Sequence, residues 1–435
     1  MLVSLASRKL KIAVIGAGSS YTPELIEGFI ARAERLNAGS FFFMDINLEK
    51  AGVIARLAER MLEASGLQSK VILTGDLDEA VSGANYVLGQ IRVGGLDARI
   101  LDEKIPPRHD LIGQETTGAG GFMNALRTIP EVLKIAKSIE TRAKDAWYIN
   151  FTNPAGIVTQ ALQHTSVKTI GLCNNPINMI NDAKKMLPEG TRTFDYDYVG
   201  LNHLSFLTGI YADGEEIIHK LIDSGAGSLE FKNIPATDIP AELMKTIGGI
   251  PVAYLSYYLR REEQLKKCKE AEKTRGEICK EIEAGLFTLY GDESLREKPE
   301  ELSQRGGALY SEAAVSVVDA IENDKNDIQV VNVKNRRAYP FMDYDDVVEV
   351  KCVINKNGAT PVCLGDFNNE YIIALMSAVK SFEHLTVKAA MSGRYETALS
   401  ALLAHPLVGD YDRAKGALDE MLEANRPYLP DGAFR

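Results

Sequence analysis

The most constraining feature lies near the start of the chain. Lys11 to Ile15 (K-I-A-V-I) is a short, largely apolar run that ends in Gly16-Ala17-Gly18-Ser19-Ser20. A run of this length closed by glycine reads as a buried strand entering a turn. Thr22-Pro23-Glu24 follows, with an N-cap type, a first-turn proline and an acid that suits the positive end of a helix. Strand, glycine turn and helix in this order open a doubly wound α/β sheet, and the context gives the glycine pattern its meaning.

The same alternation continues. Ser40–Met44, Val71–Thr74, Tyr86–Ile91, Ala146–Asn150 and Lys168–Leu172 read as strands, and a charged periodic helix spans Leu48 to Ala64. Strands alternating with helices predict a parallel sheet. After Pro176 the pattern changes. Tyr198–Tyr211, Ile328–Val333 and Val347–Ile354 read as strands of a mixed or antiparallel sheet, surrounded by helices over 251–289, 310–322 and 370–424. The expected fold is a Rossmann-like, doubly wound parallel sheet followed by a mixed α+β domain, a lactate/malate dehydrogenase-like architecture. The expected division is 1–175 for NAD binding and 176–435 for substrate and metal.

Charge narrows the partners. With 49 basic and 60 acidic residues the net charge is -11, which disfavours nucleic acid. No apolar run reaches the ~20 residues of a membrane span, and residues 1–10 read as a short tail before a strand. Cys173, Cys268, Cys279, Cys352 and Cys363 show no disulfide spacing, and an odd count fits a reducing cytoplasm.

Four groups of residues could carry chemistry. Gly16 and Gly18 allow a tight turn and close approach of a pyrophosphate, with Ser19 and Ser20 beside the helix N-terminus. Asp45 ends the second strand, where an acid accepts from ribose hydroxyls and favours NAD over NADP. Tyr21 stands where the fingerprint has its third glycine, and a ligand-free turn is the plainer alternative. Cys173 lies just past a strand end and His203 lies in a later strand-like run. Thiolate and neutral imidazole are metal ligands, but by spacing alone the pair reads more readily as a buried cysteine and a capping histidine. The polar segment Arg92–Gly121 carries Arg92 and Arg99, which could meet an anion or form surface salt bridges, and Glu115, which could bind sugar hydroxyls or tune a metal. His109 reads as structural. Tyr254, Tyr257 and Tyr258 share a helical face; core packing is their plain reading, since a tyrosine base needs a cation nearby.

Longer runs carry a resemblance: G-A-G-S-S-Y-T-P-E-L at Gly16, L-I-G-Q-E-T-T-G-A-G-G-F at Leu111, N-F-T-N-P-A-G at Asn150, G-L-C-N-N-P-I-N at Gly171, G-L-N-H-L-S-F at Gly200, Y-L-S-Y-Y-L at Tyr254, Q-R-G-G-A-L-Y-S at Gln304 and A-L-L-A-H-P-L-V near the C-terminus. In this order, over nearly the whole chain, the sequence resembles glycoside hydrolase family 4, and within it the 6-phospho-β-glucosidases. Most glycosidases work with two carboxylates, and these NAD-dependent enzymes are an exception. The resemblance implies NAD and a divalent metal, usually manganese, held by Cys173 and His203. It implies Tyr254 as the base at sugar C2, Asn153 and Asn174 on sugar hydroxyls, and Arg275, with Arg99 as a weaker candidate, on the 6-phosphate. The implied reaction is hydrolysis through oxidation at C3, loss of the C2 proton, elimination at C1, addition of water and re-reduction. Its substrate would be a phosphorylated disaccharide or an aryl 6-phospho-β-glucoside, and its assembly a homodimer or homotetramer. Asn175, where relatives often have valine, and N-R-R-A-Y at Asn335 depart from the family pattern. Two other readings compete. A 2-hydroxy acid dehydrogenase would accumulate NADH and leaves Cys173 unexplained; a nucleotide-sensing protein without turnover would bind equally well without Tyr254.

Overall fold

The computed structural model describes residues 8–224, 239–305 and 310–434. Residues 1–7 of the expected tail and residues 306–309 of the Q-R-G-G-A-L-Y-S run lie outside them. Thirteen strands occur among the described residues. They are β1 (Leu10–Ile15), β2 (Ala38–Met44), β3 (Lys70–Thr74), β4 (Tyr86–Gly89), β5 (Trp147–Asn150), β6 (Lys168–Gly171), β7 (Phe194–Leu201), β8 (Leu204–Ala212), β9 (Glu215–Glu216), β10 (Ile250–Pro251), β11 (Asp327–Lys334), β12 (Val347–Asn355) and β13 (Gly358–Pro361).

The main sheet has nine strands in the order β13-β12-β11-β6-β5-β4-β1-β2-β3. Strands β1 to β6 are parallel, in the 3-2-1-4-5-6 order of a doubly wound nucleotide fold. Their registers align the C-terminal ends: Met44 pairs with Ile15, Ile15 with Gly89, Gly89 with Asn150, and Asn150 with Gly171. The loops that follow these residues therefore share one edge of the sheet, the edge where such folds bind ligands. Buried apolar side chains cover both faces: Ile12, Val14, Phe41, Phe43 and Leu88 on one, and Ala13, Ile15, Val87 and Tyr148 on the other.

Beyond β6 the sheet does not stop at residue 175. β11 joins β6 antiparallel through Asn332 and Gly171, and β12 and β13 extend it. A smaller sheet of β10, β8 and β7, with β9 on β8, packs beside it. The run expected as one strand over 198–211 is the β7–β8 hairpin, in which Leu201 pairs with Leu204 around Asn202-His203. The long helix expected over 251–289 is instead broken into short helices, Ser256–Leu259, Arg261–Glu270 and Arg275–Tyr290. Arg260 leaves helical geometry at φ -128 and ψ 41. The last helix restarts at a capping box: Thr274 Oγ1 accepts from the Glu277 amide at 3.2 Å, and Glu277 Oε2 accepts from the Thr274 amide at 2.9 Å. Nor is Thr22 an N-cap. Tyr21 takes that place, and the Thr22 hydroxyl donates to Ala17 O at 2.9 Å. No described helix is long and apolar enough to cross a membrane.

Candidate active site

The glycine loop is held tightly. Gly16 sits at φ +87, and a Cβ there would stand 3.0 Å from the Gln90 backbone. A Cβ on Gly18 would stand 2.9 Å from Asp45 Oδ2, which already accepts the Gly18 amide at 2.8 Å. Asp45 closes on its own loop, with its other oxygen accepting the Asn47 amide at 2.9 Å. Ser19 Oγ accepts the Tyr21 amide at 3.3 Å. Ser20 is buried; its hydroxyl donates to Glu283 at 3.3 Å and its carbonyl accepts from Tyr290 OH at 2.7 Å. Helix Arg275–Tyr290 thus braces the loop from the second half of the chain. Gly16→Ala is expected to weaken NAD binding about tenfold, because a left-handed residue with a Cβ costs ~1–2 kcal/mol and the loop must shift. An equilibrium titration checks this, and unchanged affinity would remove the loop from the cofactor site.

Cys173 and His203 meet. Cys173 follows β6 and His203 occupies the β7–β8 turn at φ 63, a left-handed conformation. Their Sγ and Nε2 atoms lie 3.4 Å apart, and both residues are buried. Two ligand atoms at about 2.3 and 2.1 Å from one ion stand roughly 3.1–3.6 Å apart at ordinary coordination angles, so the pair fits a single cation. No third His, Cys, Asp or Glu completes a cluster among the described residues. Any ion held here keeps positions for water or substrate oxygens, as catalytic sites require. His203 Nδ1 is buried without a hydrogen-bond partner among the described residues. Burial lowers the imidazole to about 4, so it is neutral and available as a ligand. Burial, reinforced by the charge of Glu349, pushes the Cys173 thiol up; a bound cation reverses that preference.

Tyr254 lies against this pair. Its ring stacks on the His203 ring with centroids 4.2 Å apart and planes 2° from parallel. The phenol hydrogen-bonds Thr116, while burial and the charge of Glu115 push its ionisation up. Tyr257 is buried beside it, with ring centroids 6.2 Å apart, and Tyr258 OH meets Thr117 Oγ1 at 2.9 Å.

A buried ion network flanks the tyrosine. Arg99, 2% exposed, reaches Glu115 at 2.9 Å and Glu103 at 2.8 Å, and Arg92 pairs with the other Glu115 oxygen. Burial would raise Glu115, but Arg92 and Arg99 hold it down at about 2. Glu103 also accepts the Gly276 amide at 2.6 Å, which ties the network to the start of helix Arg275–Tyr290. Arg275 donates to the carbonyls of Gln304 and Arg305 at 3.0 and 2.9 Å. Asn153 and Asn174 stand half-buried after β5 and β6, the latter as the N-cap of helix Asn175–Lys185. His109 pairs with Glu420 at 2.7 Å, a structural contact.

Several residues here escaped the sequence reading. Thr116 bonds Tyr254. Arg305 is buried over Tyr21, 5.5 Å from its ring centroid, with Nε unpartnered among the described residues. Asn202 and Glu349 lie behind Cys173. Glu349 had a signal: one acid among valines in V-V-E-V, where every side chain is buried.

The buried histidines set an acid limit. His203 is lowered from 6.5 to about 4 and His405 from 6.5 to about 3, both by burial. A depressed folded value means the stabilising preference for the neutral form is complete above 6.5 and is lost as pH falls through 4 and 3. Thermal unfolding without metal is expected to show a falling midpoint from about pH 6.5 downward; a flat profile to pH 4 would contradict it.

The chain as a whole is similar to known proteins. The family description "Family 4 glycosyl hydrolase" matches residues 11–189, and "Family 4 glycosyl hydrolase C-terminal domain" matches residues 198–408. A probable 6-phospho-β-glucosidase of Bacillus subtilis (strain 168) is 41% identical over 434 residues, covering 98% of each chain. The structure of the Thermotoga maritima 6-phospho-β-glucosidase with manganese, NAD+ and glucose-6-phosphate superposes with a TM-score of 0.89 at 36% identity, covering 97% of this chain and 99% of that one. Cryptosporidium parvum malate dehydrogenase, at 14% identity with a TM-score of 0.51 over 88% of this chain and 100% of that one, shares the fold.

Proposed function

The chain belongs to family 4 of the glycosyl hydrolases, and from that premise we propose that it hydrolyses 6-phospho-β-glucosides with NAD and a divalent metal, manganese for preference, as cofactors. The observation that carries the proposal is the stack of Tyr254 on His203 with Cys173 Sγ 3.4 Å from the same imidazole. A dehydrogenase of 2-hydroxy acids has no use for this arrangement.

NAD held in the glycine-loop cradle would supply the hydride acceptor and donor for sugar C3, and a divalent ion held by Cys173 and His203 would supply the positive charge that acidifies the C2 proton of the oxidised sugar. Gly16 and Gly18, with Ser19, Ser20 and Asp45, form the proposed dinucleotide cradle. Cys173 and His203 hold the ion and orient it toward the sugar. The Tyr254 phenolate takes the C2 proton from a ring fixed in place by the His203 stack and by Thr116. Asn153 and Asn174 orient sugar hydroxyls from adjacent strand ends. Arg99 and Arg275 are the proposed phosphate contacts. Glu115 tunes this cationic corner, since its charge is spent on Arg92 and Arg99.

Five free cysteines among the described residues, one of them needed as a thiolate, support a reducing cytoplasmic location. A homodimer or homotetramer is proposed with it, on the family relationship; light scattering tests this. The function is tested with nitrophenyl glycosides of both anomers, with and without 6-phosphate, assayed with NAD, Mn²⁺ and a thiol reductant. The expected substrate is the β-anomer carrying the phosphate, without net NADH. In deuterated water the product should carry deuterium at C2. Product without C2 deuterium would overturn the elimination route, and NADH formed mole for mole would favour a dehydrogenase.

A further inference from the structure

Glu349 is a buried carboxylate that the chemistry above does not use. It is 0% exposed on β12 and accepts from Tyr198 OH at 2.6 Å, Asn202 Nδ2 at 3.2 Å and Asn332 Nδ2 at 3.2 Å. All three donors are neutral, and no Lys, Arg or His pairs with it among the described residues; its charged neighbour is another acid, Glu383. Lys380, which donates to Val347 O at 2.6 Å two residues before Glu349, is paired with Glu383. Burying a carboxylate without a cation is unfavourable, and neutral hydrogen bonds offset that only in part.

What Glu349 faces gives the charge a purpose. The register Gly171–Asn332–Glu349 runs from β6 across β11 to β12, which brings the carboxylate to the end of the sheet where Cys173 sits. Asn202, the residue before His203, joins the two. Its Oδ1 accepts the Gly156 amide at 3.2 Å, which turns Nδ2 toward Glu349, and its side chain also hydrogen-bonds Cys173. One amide therefore separates the carboxylate from the thiol.

We propose that Glu349 is the second anion of the metal site, a positioning residue that acts through Asn202: with the Cys173 thiolate it supplies two negative charges that a divalent cation neutralises. The proposal rests on the metal assignment made above. It predicts that the carboxylate favours the metal-bound form and burdens the metal-free one. Outer-sphere partners of this kind contribute about 10- to 100-fold to metal affinity.

The test uses Co²⁺ binding to the full-length protein, read by the thiolate-to-cobalt charge-transfer absorbance, with NAD affinity and thermal unfolding measured alongside. Glu349→Gln keeps the shape and can keep the hydrogen bonds. It is expected to weaken Co²⁺ binding at least tenfold, to leave NAD affinity unchanged, and to unfold at or above the wild-type temperature without metal but below it with metal. Equal destabilisation of both forms with an unchanged Co²⁺ titration would overturn the proposal, because that is the signature of a packing role. Glu349→Asp retains the charge and should bind Co²⁺ within about threefold of wild type; a tenfold loss there would assign the effect to reach and overturn it equally, whether or not the Gln variant folds. Cys173→Ser serves as the control. If it leaves the cobalt band intact, the metal assignment itself fails; if it removes the band while Glu349→Gln binds normally, only the role of Glu349 fails.

Discussion

Cys173→Ser and His203→Ala are expected to lose turnover on the order of 10³-fold, about 4 kcal/mol, while NAD binds as before. Each variant removes one of the two proposed metal ligands, a pair that no third His, Cys, Asp or Glu extends into a cluster among the described residues. The dinucleotide loop belongs to a different set of contacts, bounded by Asp45, Gln90 and Ser20, so its affinity should not move. Serine keeps the size but not the soft, readily ionised sulfur, which makes it the cleaner of the two changes. Kinetics at increasing Mn²⁺, beside an NAD titration, check the split. Full activity in either variant, or a matching loss of NAD affinity, would refute the proposed division of labour.

Tyr254→Phe is the second large effect. The ring is buried and stacked on His203, so phenylalanine preserves the packing and removes only the hydroxyl. Burial and the neighbouring Glu115 and Cys173 disfavour ionisation of the phenol; in the proposed mechanism a divalent cation held by the stacked imidazole would reverse that preference and make it a usable base. General-base removal costs ~10²–10⁴ in rate. The expected phenotype is therefore a fall in kcat of that size, with Mn²⁺ and NAD affinities unchanged and C2 exchange in deuterated water lost. Exchange continuing at the wild-type rate would give the proton to another group.

Much of the fold was legible from local pattern. Strands β1 to β6 and the Leu48–Ala64 helix follow from apolar runs and glycine or acid punctuation, because a buried parallel strand must be apolar throughout and must end in a turn. The family runs placed Cys173, His203 and Tyr254 as a set. What failed was local in another sense. The A-E-K-T break and capping box at Thr274 interrupt a helix whose polar periodicity runs on through it. The Asn202-His203 turn lacks the glycine that usually marks a tight hairpin, so two strands read as one.

Local pattern was enough to require a nucleotide-type sheet, and to put a thiol, an imidazole and a phenol among its strand-end loops and the segments after them. That these three meet is a property of the folded chain. Cys173 and His203 come from β6 and from a hairpin of a second sheet, and Tyr254 from a short helical turn after β10. Folding also turns Arg99 inward to Glu115 and Glu103, and brings a valine-flanked glutamate on an antiparallel strand behind the cysteine. The reason is physical: hydrophobic periodicity sets which face of an element is buried, but contacts between distant elements depend on strand order and register, which no local window of residues encodes.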